Sequence, residues 1–138
     1  FADDSEPTLE SIRAAVVAIR KEKFPNLSVE GTAGSFFKNP IVSKASAELL
    51  RVKYPEMPLF TMPETSGVKV PLAWILDHVL HLKGFSVGGA RLFEKQPLVV
   101  ATSSNATAKD VFELQALVIK KVFAETKIKI EPEVKIIF

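Results

Sequence analysis

Apolar residues return at helical spacing at Leu9, Ile12, Val16 and Ile19, which predicts a helix that starts at Ser5-Glu6-Pro7-Thr8 and runs to about Lys23. Phe24-Pro25-Asn26 stops it, and a loop with Gly31 and Gly34 leads into Ser35 to Ser43, a strand or an extended turn. Ser43 is placed to cap a short helix carrying Ala45, Leu49 and Leu50. Three of the nine prolines fall between Tyr54 and Gly67, so that stretch reads as irregular. A helix then enters at Pro71 and passes through Trp74 toward Leu82, where Lys83-Gly84 ends it.

Two β-like runs, Gly89 to Phe93 and Leu98 to Thr102, flank Glu94-Lys95-Gln96-Pro97 and predict a hairpin. Thr107 with Asp110 has the form of a capping box for a last helix, whose inner face would be Val111, Leu114, Leu117, Val118 and Val122. The closing IKIEPEVKIIF puts Ile128, Ile130, Val134 and Ile136 on one face of an extended strand and Glu133 on the other. Helices interspersed with short strands argue for a single small α+β domain, its helices packed on short, mainly antiparallel strands.

Composition narrows the function classes more than it selects one. The 138 residues, 47% hydrophobic and 25% charged, suffice for one soluble domain with a core. Eighteen basic and 16 acidic residues are spread so evenly that neither nucleic acid nor an anionic membrane is signalled as a partner. The stretch from Val70 to Leu82 is too short to span a bilayer and carries Asp77, His78 and His81. With no cysteine there is no disulfide or thiol chemistry, and a reducing cytoplasm fits. The chain opens on Phe1 with no signal-peptide pattern and is expected to be a processed or excised piece of something longer.

Candidate chemistry is thin on the residues alone. His78 and His81 lack a third ligand at convincing spacing, so they read as a helix face and no metal is assigned. Gly31-Thr32-Ala33-Gly34 and Gly88-Gly89 complete no phosphate-binding pattern and read as turn chemistry. Asn105-Ala106-Thr107 matches a glycosylation sequon, which matters only in a secreted chain, and Trp74 reads as core. Ser35 has no activating base in its own loop and by itself is a turn or strand serine. In an extended run Phe36 and Phe37 point to opposite sides, so that one of them walls off a dry pocket beside the hydroxyl. Glu133, at a strand kink, is by default a solvated carboxylate.

Taken together, GTAGSFFKNP at 31 to 40, Val68-Lys69 with AWILD at 73 to 77, LKGFSVGGARLFEKQPLVV at 82 to 100, and NAT at 105 to 107 followed by EPEV at 131 to 134 resemble UDP-N-acetylenolpyruvoylglucosamine reductase. The resemblance covers nearly the whole chain and corresponds to the C-terminal, substrate-binding part of that flavoenzyme. It implies a cytoplasmic oxidoreductase of peptidoglycan biosynthesis in which NADPH reduces FAD. Hydride then passes to UDP-N-acetylglucosamine enolpyruvate, giving UDP-N-acetylmuramate. The charge left on the enolate needs support and then a proton.

Residue by residue, the resemblance makes Ser35 the proton donor and Glu133 the catalytic glutamate that supports the enolate. It places Lys23 on the UDP phosphates and Asn39 and Gln96 on the nucleotide or its phosphates; otherwise Lys23 is a helix-end lysine and the two amides are turn residues. The family's FAD-binding domains, its catalytic arginine and its substrate-loop tyrosine lie upstream of the matched part, and Tyr54 does not match that tyrosine. Between Trp74 and Lys83-Gly84 this chain is one residue longer than the family pattern, and Pro97 replaces a small residue. The expectation is a domain, spanning 1–138, that binds the UDP-sugar weakly and is inactive without its N-terminal flavin-binding partner domains. The alternative is a non-enzymatic UDP-sugar-binding or structural module that retains the fold.

Overall fold

Residues 7–63 and 65–137 are described by the structure, a computed structural model. In chain order they form α1 (Leu9–Lys23), β1 (Gly31–Ser35), β2 (Ile41–Val42), α2 (Lys44–Lys53), β3 (Phe60–Thr61), β4 (Val68–Lys69) and α3 (Leu72–Trp74) continued by a π turn over Ile75–Val79. There follow β5 (Ser86–Val87), β6 (Ala90–Phe93), β7 (Gln96–Thr102) and α4 (Ala108–Thr126). The strands make two antiparallel sheets, β1-β7-β6-β5 and β2-β4-β3. This is the α+β domain expected from the pattern.

The predicted hairpin is β6-β7, joined through Glu94-Lys95 with Phe93 opposite Gln96. Its alternation divides the sheet. Ala90, Leu92 and Val100 face the main core, whereas Phe93, Val99 and Ala101 form a small second cluster covered by Phe24. α4 lies over the first face with Leu114, Val118 and Val122 fully buried, and α3 with its π turn adds Leu72, Ile75 and Leu76. Each such side chain contributes roughly 1.5–3 kcal/mol of burial.

The caps at Ser43 and Thr107 are where the sequence puts them: Ser43 accepts from Ser46 N–H, and Thr107 and Asp110 close a reciprocal capping box on α4. α1 starts later than expected, with Thr8 as its N-cap accepting from Ser11 N–H, so Pro7 precedes the helix and is not in its first turn. Ser5 and Glu6 of the expected helix start lie outside the described residues.

Several expectations are corrected. Gly31 to Gly34 is strand, not loop. α2 buries Ala47 and Leu50, leaving Leu49 74% exposed, and Leu117 of α4 is on the rim of its inner face. Phe60-Thr61, inside the stretch read as irregular, is a strand, and the helix begun at Pro71 stops at Leu80, short of Leu82. The helix widens in that stretch: Leu80 N–H reaches Ile75 C=O at 3.0 Å, an i to i+5 bond. The C-terminal run is extended but belongs to neither sheet; it pairs with the segment after β1 through a bridge between Phe37 and Pro132 and its two flanking backbone bonds, and Ile128 and Ile130 are buried while Ile136 is 39% exposed. None of the residues of α1 is buried. No described helix is long and apolar enough to cross a membrane.

Tyr54 ties the ends of α2 and α4 together by donating its hydroxyl to Glu125 at 2.6 Å, where Lys53 also pairs with the carboxylate at 2.8 Å. Burial first, and the bond to Glu125 second, push the Tyr54 hydroxyl above its ordinary pKa, and the Lys53 bond lowers that of Glu125. A raised acid favours the folded state while protonated, so this contribution is present below the unfolded tyrosine value and is lost as pH climbs through the folded one. Because Tyr54 is the single tyrosine, phenolate absorbance reads it alone. The midpoint is expected above about 10 and should fall in Glu125→Ala; an unchanged midpoint in that variant would show that the bond does not form. Independently, Phe37, 1% exposed, should cost about 3–5 kcal/mol when truncated to Ala, measured by urea unfolding.

Candidate functional site

Strand β1 ends on Ser35, and a bulge governs how it ends. Thr32 pairs with Ala101 and Ser35 with Val99, so β1 carries one residue more than β7 across this interval. Gly34, at φ 79, supplies the left-handed turn, and nothing stands within 4 Å of where its Cβ would be; backbone conformation rather than crowding calls for glycine. Paired residues share a face, so Ser35 stands on the side of Val99 and Ala101 and its side chain is exposed.

Immediately beyond it the chain is clamped on both sides. Phe36 N–H donates to Leu98 C=O at 2.7 Å, and Phe36 C=O accepts from Glu133 N–H at 2.8 Å. Lys38 N–H to Glu131 C=O at 3.0 Å and the Phe37–Pro132 bridge extend the pairing. Ser35 and Glu133, remote in sequence, are thereby brought to neighbouring backbone positions. Phe36 and Phe37 do not wall a pocket at the hydroxyl, as an extended run had suggested. Both rings are buried in the main core, 5.1 Å apart edge to face, and they anchor the segment.

The other predicted site residues are placed unevenly. Asn39 is half-buried and its Oδ1 accepts from Leu72 N–H at 2.9 Å, so its carbonyl end caps α3 while the amide NH2 remains a donor. Gln96 opens β7 at the hairpin, two residues before the Leu98 that pairs with Phe36. Lys23 is exposed in the last turn of α1, where the helix dipole favours a cation. A cleft of about 860 Å³ lies between the end of α1 and β1, lined by Arg20, Lys21, Phe24, Asn26, Thr32 and Gly34 among others. Arg20, Lys21 and Thr32 escaped the sequence reading, although the cations at 20, 21 and 23 were a visible signal.

Arg91 braces this region. It pairs with Glu30, just before β1, and donates Nε to Glu94 in the hairpin at 2.8 Å, joining the two ends of the site across β7. The two carboxylate bonds hold the Arg91 guanidinium well above its ordinary pKa, and the arginine in turn lowers Glu94. Trp74, only partly buried against the core, stacks on His78 with centroids 5.0 Å apart. Among the described residues no group of three or more side chains is arranged to hold a metal.

Residues 25–137 match the model of the family described as UDP-N-acetylenolpyruvoylglucosamine reductase, C-terminal domain. Similar proteins include UDP-N-acetylenolpyruvoylglucosamine reductase of Neisseria meningitidis serogroup A, 41% identical over 92% of this chain and 36% of its own length. Those of Flavobacterium johnsoniae and Pectobacterium atrosepticum are each 41% identical, over 96% and 94% of this chain and 39% and 37% of theirs. The chain thus spans less than two fifths of the length of these relatives. With the matched segment running through both GSFFKNP and EPEV, the chain belongs to the family of UDP-N-acetylenolpyruvoylglucosamine reductase C-terminal domains.

Proposed function

We propose that this chain is the substrate-binding C-terminal domain of a UDP-N-acetylmuramate-forming reductase, carrying its proton donor and its UDP-sugar contacts. The observation that carries the reading is the bond from Glu133 N–H to Phe36 C=O, which sets the Glu133 backbone against the strand that ends on Ser35. Reduction of an enolpyruvyl ether leaves negative charge on a carbon next to a carboxylate. Ser35 delivers the proton to that carbon, and the Glu133 carboxyl supports the charge as it develops. Lys23 meets the diphosphate, with the Asn39 NH2 and Gln96 as donors to the nucleotide, in a cytoplasmic setting.

The residues described do not fit a flavin diphosphate. Gly31 to Gly34 is strand, and at the Gly88-Gly89 turn the backbone already bonds the Asp110 carboxylate, which repels phosphate. FAD and the NADPH that reduces it are therefore assigned to the part of the reductase outside this chain, and alone the domain is inactive.

Titration of the domain with UDP-N-acetylglucosamine is expected to move the amide resonances of Lys23, Asn39 and Gln96. Silence at about 1 mM, the weak end of specific binding, would remove the nucleotide assignment. In the reductase assembled with the upstream part its relatives carry, Ser35→Ala should leave cofactor reduction intact and lower turnover about 10²- to 10⁴-fold. Turnover at the unsubstituted level would end the donor role, and nucleotide binding without any turnover effect would favour a binding module.

A further inference from the structure

The direction of Ser35 depends on the bulge. Had β1 continued in the register of Thr32 with Ala101, Gly34 would stand opposite Val99 and Ser35 opposite Leu98, on the face where Leu98 and Val100 pack against the main core. A hydroxyl there would be buried among hydrocarbon. One extra residue turns Ser35 to the opposite face, where its side chain is exposed, and sends the Phe36 ring into the core.

What holds that extra residue is a side chain. Thr32 Oγ1 donates to Val100 C=O at 2.8 Å and accepts from Gly34 N–H at 3.0 Å. The ladder is broken at this point, so a partly buried carbonyl and amide are paired through the threonine hydroxyl. A hydroxyl is suited to this because it donates and accepts at once. Gly34 at φ 79 and the Thr32 bonds specify the same bulge by different means, one permitting the turn and the other fastening it to β7.

We infer that Thr32 is a positioning residue whose hydroxyl fixes the register that turns Ser35 away from the core, onto the exposed face it shares with Val99. The catalytic half of this inference rests on the reading of Ser35 as proton donor. Thr32→Val keeps the β-branched shape and removes both bonds, and Thr32→Ser keeps the hydroxyl. In the chain itself, the cross-strand NOE between Ser35 and Val99 is expected to be lost or weakened in Thr32→Val and kept in Thr32→Ser. In the assembled reductase, Thr32→Val should lower kcat about 10- to 100-fold, the scale of a misplacement near 1 Å, with KM within about twofold; Thr32→Ser should restore it.

An intact NOE in Thr32→Val overturns the register claim. A lost NOE with unchanged kcat, or equal losses in both variants, overturns the positioning role while leaving the donor reading untouched. Ser35→Ala at full turnover overturns the donor reading and with it the catalytic half, and the NOE still decides the register.

Discussion

The backbone of Phe36 is paired on both sides, its N–H with Leu98 and its C=O with Glu133 N–H, while its ring is buried. The rest of the site depends on that double pairing. It sets the C-terminal segment against β1 and β1 against the central strand β7, so three parts of the chain that are distant in sequence share one edge. Each bond contributes only about 1 kcal/mol net. Geometry matters more than energy here, since a residue whose ring is locked in the core cannot rotate its peptide groups away from their partners.

The two faces of the larger sheet serve different ends. One is filled by α4, α3 and the π turn and supplies nearly all of the buried apolar surface. The other carries only Phe93, Val99 and Ala101 with Phe24 over them, and beside this thin cover the cleft at the end of α1 opens. A fully packed face gives rigidity, and a sparsely packed one leaves room for a ligand next to rigid backbone. Arg91 fits that division: it lies on the thin side, and by gripping Glu30 and Glu94 it stiffens the approach to β1 and the hairpin without closing the cleft.

Elements with strong local signals were legible in the sequence. The β6-β7 hairpin, the caps at Ser43 and Thr107 and the buried stripe of α4 each follow from short-range chemistry that tertiary contacts reinforce. β1 was missed because Gly31 and Gly34 are turn residues by local rule, yet here they sit in an edge strand whose bulge needs one of them. The C-terminal strand was over-read because alternation at Ile128, Ile130 and Val134 reports burial on one side, which packing alone can produce without a place in a ladder. The proposed site residues Ser35 and Glu133 were accessible only through the family resemblance. No local rule connects a serine after a glycine to a carboxylate after a proline at the far end of the chain.

Glu131-Pro132-Glu133 nevertheless has a physical logic once the pairing is known. Glu131 gives its C=O to Lys38 and Glu133 gives its N–H to Phe36, so the two peptide groups flanking the proline carry the pairing and the residue with no N–H sits opposite Phe37, needing none. A proline at that position costs no hydrogen bond and fixes φ just before Glu133. On the facing strand the corresponding constraint is Gly34, whose left-handed φ comes one residue before Ser35. Each of the two proposed reacting groups therefore follows a residue with a restricted or special backbone. Turn residue and reagent are not competing descriptions of Ser35: the turn chemistry around it is what makes its direction definite.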